Sequence, residues 1–235
     1  MGYIIKFGGS IFFHQHSTEL KVELIQELAN IVLSHKEIIG LVCGGGKVAR
    51  YYIHAGRKLG FKESTLDHLG IMVSRINAQV LITVLNKNTY PDPISNINQA
   101  RLARSRNQLF VAGGFIPKQS TTTVAMQLCE VLDCNLIVLT DVDGIYNKDP
   151  KTYPEAKKYD KIKVTEIQTL LTSRSNQEKI AGKYQIFDLL SWEILKRSKI
   201  QVRFINGIDL NNLKLLLSED FEKSKIGTLV SHEIE

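Results

Sequence analysis

The amino-acid sequence predicts an α/β protein, a three-layer αβα sandwich around a mostly parallel central sheet. Three observations predict it. Short apolar runs of strand length alternate with longer stretches of helical period, the pattern of successive βαβ units covered on both faces. Apolar residues make up 43% of the 235 and charged ones 23%, enough for one sizeable core. The glycine clusters all fall at the carboxyl ends of apolar runs, where open parallel sheets bind ligands.

The elements follow in order. Tyr3 to Phe7 is an apolar run ending at Gly8-Gly9-Ser10, a buried strand meeting a turn. A helix over Ser17 to Ser34 carries Leu24, Leu28, Ile31 and Val32 on one face. Ile38 to Cys43 is a second strand, stopped by Gly44-Gly45-Gly46. In the next helix Val48, Tyr52, Ala55 and Leu59 recur at spacings of 4, 3 and 4. Another starts near Ser64, with Leu66, Leu69, Val73, Ile76 and Val80 stepping by 3 and 4. Pro91 to Ser95 is a loop, and Leu109 to Ala112 is a strand running into Gly113-Gly114. Ser120 to Thr123 opens a helix bearing Val124, Leu128 and Val131, and Leu136 to Leu139 is the fourth strand. Asp141 to Pro154 is turn-rich, with Asp143-Gly144 as a hairpin turn. Helices over Val164 to Leu171 and Tyr184 to Arg197 precede a strand, Gln201 to Ile205, that ends at Asn206-Gly207. A helix over Asp209 to Leu217 and a short strand near Thr228 to Val230 complete the chain. No repeat, low-complexity tract or linker divides it, so residues 1–235 are expected to form one unit.

Composition narrows the function. No apolar run approaches the ~20 residues that span a bilayer, and the N-terminus lacks the pattern of a signal peptide, so a soluble cytoplasmic protein is expected. Cys43, Cys129 and Cys134 sit in apolar segments without paired spacing, and read as reduced core thiols. The net charge of +6 favours anionic partners. Lys and Arg are spread without a dense stripe, so a phosphorylated small molecule is expected rather than nucleic acid. His14-Gln15-His16 lacks a third ligand and Trp192 reads as packing, so no metal site is expected.

The strand ends carry the chemistry. In Lys6-Phe7-Gly8-Gly9-Ser10 two glycines let backbone N–H groups approach an anion, and Lys6 adds a mobile positive charge. Gly44-Gly45-Gly46-Lys47 leads into a helix start that favours phosphate, with Arg50 one turn in and Lys47, His54 and Arg57 along the same face. A P-loop is excluded, because Val48 follows Lys47 and Leu41 holds the earlier glycine position. Gly44-x-Gly46-x-x-Ala49 fits the dinucleotide fingerprint formally, but a second helix through Asp67 stands where that fold needs a strand. Gly113-Gly114-Phe115-Ile116-Pro117 precedes Ser120-Thr121-Thr122-Thr123, more hydroxyls than a helix cap needs. Thr140 to Pro150 closes the fourth strand with paired aspartates. Several such ends on one sheet edge suit two phosphorylated ligands meeting for phosphoryl transfer.

These residues resemble the amino acid kinases and, within them, the archaeal-type uridylate (UMP) kinases, over essentially the whole chain. The start Lys6-x-Gly8-Gly9-Ser10 and the Thr140 to Pro150 segment are similar to features of the whole superfamily. Three stretches are more diagnostic: Gly44-Gly45-Gly46-Lys47-x-Ala49-Arg50, Leu66-Asp67-x-Leu69-Gly70-Ile71-x-x-Ser74-Arg75, and Gly113-Gly114-Phe115-x-Pro117-x-Gln119-Ser120-Thr121.

The resemblance implies an amino acid kinase-like fold, with an acceptor-side half about 1–135 and an ATP-side half about 136–235, and ATP-dependent conversion of UMP to UDP. It implies that Lys6 is catalytic and that Gly8, Gly9 and Ser10 hold the ATP phosphates, with Gly45, Gly46 and Arg50 between donor and acceptor. Asp67 would take the UMP ribose hydroxyls, and Gly113, Gly114, Phe115, Ile116, Pro117, Lys118, Gln119, Ser120 and Thr121 would embrace uracil and phosphate. Thr140, Tyr146 and Asp149 would contact the adenine nucleotide. Mg2+ would arrive with ATP, held mainly by phosphates, and the enzyme would be a homo-oligomer, a hexamer. Three positions depart from the pattern. Lys118 replaces a usual Gly, Leu189 replaces the Pro after Asp188, and Asp141 replaces Asn or Lys, which makes it a candidate catalytic support. The alternatives are a sister kinase for another phosphate or carboxylate acceptor, such as isopentenyl phosphate kinase, and a non-catalytic nucleotide- or oxyanion-binding relative. The former has a His where Arg50 stands; Lys6 and the full acceptor set speak against the latter.

Overall fold

The structure, a computed structural model, describes residues 2–14, 17–86, 88–167 and 187–232. The described residues form the strands β1 (Gly2–Phe7), β2 (Ile38–Cys43), β3 (Phe110–Ala112), β4 (Cys134–Thr140), β5 (Lys161–Lys163), β6 (Val202–Asn206) and β7 (Thr228–Ser231). They build one sheet in the order β3-β2-β1-β4-β6-β7-β5. Every neighbouring pair is parallel except β6 and β7. The chain therefore walks outward from β1 through β2 to β3 and returns to the other side of β1 as β4. It then crosses to the far edge as β5, comes back to lay β6 beside β4, and places β7 between β6 and β5. The crevice between the ends of β1 and β4 is the switch point at which such sheets bind ligands.

The helices are α1 (Gly9–Phe12), α2 (Val22–Ser34), α3 (Gly46–Lys58), α4 (Glu63–Leu85), α5 (Ile97–Ser105), α6 (Thr121–Leu132), α7 (Leu189–Arg197) and α8 (Asn211–Ser218), with a further helical stretch over 164–167. β2 is buried at all six positions, as a strand covered on both faces must be. Alternation along β1 sends Ile4 into a core with α5, α6 and α7, and Ile5 and Phe7 into a second core with α1, α2, α4 and α8. Each fully buried Leu, Ile or Phe there contributes about 1.5–3 kcal/mol. Lys6 shares the Ile4 side of the strand by the same alternation. The three cysteines are free and buried, and the Trp192 indole donates to the Val164 carbonyl from a buried position.

The departures from expectation have physical reasons. The first long helix starts at Val22, not Ser17, because Phe13 and Leu20 bridge and 17–21 closes that loop. The face of α3 is rotated by one residue: Ala49 and Gly56 are buried, while Tyr52 and Leu59 are exposed. A Cβ on Gly56 would lie 2.7 Å from Leu66 Cδ2, so α3 meets α4 through small residues that carry no hydropathy signal. On α4, Ile76 is exposed and Ser74, Asn77 and Ala78 are buried instead. That helix, 23 residues long, is apolar enough to cross a membrane by length and composition, yet here its Ala78, Leu81 and Leu85 pack into the sheet core. Asp143-Gly144 turns without a tight hairpin; the chain instead bridges Tyr146 to Lys158. The expected helices over Val164 to Leu171 and from Tyr184 lie partly outside the described residues.

Candidate active site

The seam of the site is made of glycine against glycine. A Cβ on Gly9 would fall 2.1 Å from the Gly46 nitrogen, and one on Gly46 only 2.3 Å from the Gly9 oxygen. Gly46 also sits at φ +62°, where a side chain is strained. The loops after β1 and β2 thus touch backbone to backbone, and no other residue fits. The Gly8 N–H reaches toward the Leu139 carbonyl at 3.4 Å, tying the first loop to β4 across the switch point. Gly44 donates to the Phe7 carbonyl at 3.2 Å and accepts from Asn77 Nδ2 at 2.8 Å.

Lys6 stands at this switch point, in register with Val42 on one side and Val138 on the other. Burial lowers the pKa of its amine below the usual lysine value, and the charge of Asp141 works in the opposite direction. Among the described residues that amine makes no hydrogen bond or ion pair. Asp141, one residue past β4, pairs its Oδ2 with Lys151 Nζ, so a second lysine that the sequence did not single out joins the cluster.

A cavity of about 160 Å³ opens between α3, α4 and the loop after β3. Gly45, Asp67, Gly114, Ile116, Lys118, Gln119 and Thr121 line it, together with Ile53, Gly70, Ile71 and Ser74. The 113–119 loop is held by α4 at three points. Ser74 Oγ accepts the Gly114 N–H at 2.7 Å. Arg75 reaches the Gly114 carbonyl with Nε at 3.1 Å and the Phe115 carbonyl with Nη2 at 3.3 Å. Asp67 Oδ2 accepts the Lys118 N–H at 3.0 Å. Lys118 adopts φ +64°, the left-handed conformation that glycine takes without strain, so the bend of the loop is kept despite the side chain. Phe115 is half-buried against the core, while Pro117 faces solvent. Gln119 Nε2 donates to Gln127 Oε1 at 2.8 Å, and its own Oε1 is buried without a partner. Ser120 caps α6 by accepting from the Thr123 N–H at 3.1 Å, and Thr123 Oγ1 lies 2.7 and 2.9 Å from the two oxygens of Asp188. Asp188 is in turn the cap of α7, accepting from Ser191, so Leu189 after it simply opens a helix.

A second cavity, of about 370 Å³, lies beyond the ends of β4 and β6, lined by Asp143, Tyr146, Lys158, Asn206, Asn212 and the 225–227 stretch. Asn206 Nδ2 donates to Asp143 Oδ1 at 2.8 Å. Burial first, and then Asp143, raise the pKa of the Tyr146 hydroxyl above its ordinary value. Thr140 accepts from the Gly207 N–H at 2.8 Å at the root of this cavity. Asp149 does not line it: its carboxylate accepts from the Lys151 N–H and the Thr152 hydroxyl and shapes a turn.

The structure therefore brings Lys6, Gly8, Gly9, Gly45, Gly46 and Asp141 to one seam, and sets a cavity on either side of it. Ser10 lies in the first turn of α1. Arg50 is exposed on α3 with no hydrogen bond or ion pair among the described residues. The rest of that basic face disperses: Lys47 Nζ donates to the His14 carbonyl at 2.7 Å and Arg57 pairs with Glu63 at 3.0 Å. Lys158, Asn206, Asn212 and Lys225 were not singled out as site residues from the sequence, because they come from separate segments that only the sheet gathers. Among the described residues no group of three or more His, Cys, Asp or Glu side chains forms a metal cage.

A crevice at the β1/β4 switch point, glycine loops with free backbone approach on both sides and a half-buried lysine are the features of an α/β enzyme that handles phosphate groups. The sequence profile of the amino acid kinase family matches residues 1–206, and the chain belongs to that family. It is 38% identical over 218 residues to a uridylate kinase of Sulfolobus acidocaldarius, spanning 92% of this chain and 94% of that one. To a uridylate kinase of Methanocaldococcus jannaschii it is 38% identical over 211 residues, 88% and 91% of the two chains. The crystal structure of uridylate kinase from Archaeoglobus fulgidus superposes with a TM-score of 0.82 at 29% identity, covering 98% of this chain and all of the other. The isopentenyl phosphate kinase of T. acidophilum shares the fold, with a TM-score of 0.70 at 18% identity.

Proposed function

We infer that the protein is an ATP-dependent UMP kinase, moving the γ-phosphoryl group of ATP directly onto the UMP phosphate to give UDP and ADP. The observation that carries this reading is the pair of separate cavities flanking one lysine-bearing glycine seam, in a chain so similar to archaeal uridylate kinases. On this reading the cavity beside α4 takes UMP. Asp67, an acceptor-only carboxylate, receives the ribose hydroxyls, and the 113–121 loop encloses the base and phosphate. The cavity beyond β4 and β6 takes the adenine nucleotide, with Tyr146 and the Thr140 turn along it. Asp149 serves by shaping the turn that carries Lys151.

The polyphosphate then lies along Gly8, Gly9 and Ser10 toward Gly45 and Gly46, with Arg50 at the rim. Transfer is in line and needs positioning and charge neutralisation more than covalent chemistry. The Lys6 ammonium offsets the charge spreading over the equatorial oxygens, and a dry, fixed setting makes that interaction strong. Asp141 supports the transfer by keeping Lys6 and Lys151 charged and placed. Mg2+ entering with ATP would be held mainly by phosphate oxygens and water and would supply charge neutralisation, since the described residues form no protein cage for it.

UDP formed this way feeds pyrimidine nucleotide synthesis in the cytoplasm. The enzyme acts as a homo-oligomer, a hexamer; Tyr51 and Leu59, 70% and 72% exposed in the single chain, and Ile76 offer apolar surface for such contacts. Measuring ADP release with UMP, CMP, isopentenyl phosphate and N-acetylglutamate tests the acceptor. Turnover with UMP far above the others is expected, and preference for another acceptor, or none, would overturn the reading. Light scattering of the purified protein tests the hexamer.

A further inference from the structure

Arg203, in β6, is wholly buried, on the strand face that it shares with Ile205. Among the described residues it forms no ion pair. Its Nη1 donates instead to the carbonyls of Ser224 at 2.9 Å and Ile226 at 3.0 Å, and Nη2 to the Phe221 carbonyl. The guanidinium lies over the Phe221 ring, 5.3 Å from its centroid, and Phe221 stacks in turn on Tyr3. Burial pulls the pKa down to about 10, with Glu219, Asp220 and Tyr3 opposing it, so the group is still charged at neutral pH. Nε is left without a partner.

A charge at this depth is costly unless its donors are used. The strand does not ask for it, since the neighbouring Val202, Phe204 and Ile205 are buried and apolar. Its use lies in the loop it grips. That loop runs straight into the second cavity, where Lys225, Ile226 and Gly227 form part of the wall. Gly227 sits at φ +73° with its Cβ position 1.9 Å from the Phe204 carbonyl, so the far end is laid directly on β6. Lys225 lies between two gripped carbonyls, exposed, with no hydrogen bond or ion pair among the described residues.

We propose that Arg203 is a positioning residue of the nucleotide cavity, gripping the 221–226 backbone so that Lys225 meets the donor's polyphosphate. This rests on the reading above that the second cavity takes ATP. Steady-state kinetics and calorimetric titration with ADP, on Arg203→Met, Lys225→Ala and the double variant, test it. Arg203→Met is expected to raise KM for ATP and Kd for ADP about tenfold, leaving KM for UMP and kcat within about twofold. The double variant should lose no more ADP affinity than the worse single one, because both act through one contact. A lower Tm with unchanged ADP affinity would make Arg203 merely structural and overturn the proposal, as would losses that multiply in the double variant. Should Arg203→Met fail to fold, Arg203→Lys keeps the charge and one carbonyl contact. It should weaken ADP binding by about threefold, and unchanged binding overturns the proposal equally. ADP titration needs no acceptor, so a protein that binds ADP but ignores UMP would sink the acceptor assignment and leave this one standing.

Discussion

The two cavities are built by different means. The smaller one is walled by a loop whose backbone is tied down by α4, through Ser74, Arg75 and Asp67. The larger one is walled mainly by side chains from separate segments, Asp143, Tyr146, Lys158, Asn206 and Asn212, with the Arg203-held 225–227 backbone along one side. A wall of tethered backbone selects by shape and tolerates little. A wall of polar side chains gathers charge and can re-pair when one member changes. On the proposed assignment of the cavities, the acceptor side should therefore be the selective one, and the nucleotide side the forgiving one.

Lys6→Ala, at the seam both cavities share, tests whether either side works without it. A fall in kcat of about 100-fold or more is expected, with little change in KM for UMP; equal loss in both would assign Lys6 to uniform binding. Its pH dependence has a definite sign. The folded, unliganded protein holds the amine below the ordinary 10.5, so the alkaline loss of kcat/KM for ATP should begin below that value. The same depression means that the fold disfavours the charged form. The unliganded protein should gain stability as pH rises through the folded value toward the unfolded one, and Lys6→Ala should not lower Tm at neutral pH. Pairing rate profiles with thermal denaturation checks both.

Asp67→Ala tests the selective side. Loss of a charged acceptor and of the Lys118 N–H partner should raise KM for UMP by about 10- to 100-fold and leave that for ATP alone. If only ATP use suffers, the two cavities have been assigned in reverse. Tyr146→Phe tests the forgiving side: removing the hydroxyl that bonds Asp143 should raise KM for ATP by about threefold at most. A loss as large as that from Asp67→Ala would erase the contrast. Lys118→Gly is the mildest change. Relieving a left-handed backbone should add about 1 kcal/mol of stability, seen as a small rise in Tm, with KM for UMP within about twofold.

The contrast also explains what the sequence revealed. Lys6, Gly9, Gly46 and the 113–121 loop were legible because contiguous motifs build the seam and the wall of the smaller cavity. Asn206, Asn212, Lys158 and Lys225 were not, since they come from a strand end, a helix start and two polar loops that only sheet order brings together. Periodicity found α3 and α4 but misjudged their faces: Tyr52, Leu59 and Ile76 repeat like core residues, while Ala49, Gly56, Ser74 and Asn77 make the close contacts. Helix α5 escaped notice because Ala100 and Ala103, its only buried positions, leave no apolar stripe. The short β5 escaped too, with one buried residue between two lysines. The antiparallel course of β7 cannot be inferred from a four-residue strand with two apolar residues.

One consequence follows from the contact between Gly9 and Gly46. Because peptide meets peptide there, the span that the phosphoryl group would cross on the proposed reading is dictated by chain geometry and is insulated from what happens at the walls. New acceptors could then be admitted by altering Ile53, Ile116 or Lys118 without retuning the jump itself, whereas any side chain at either glycine would change the gap for every substrate at once.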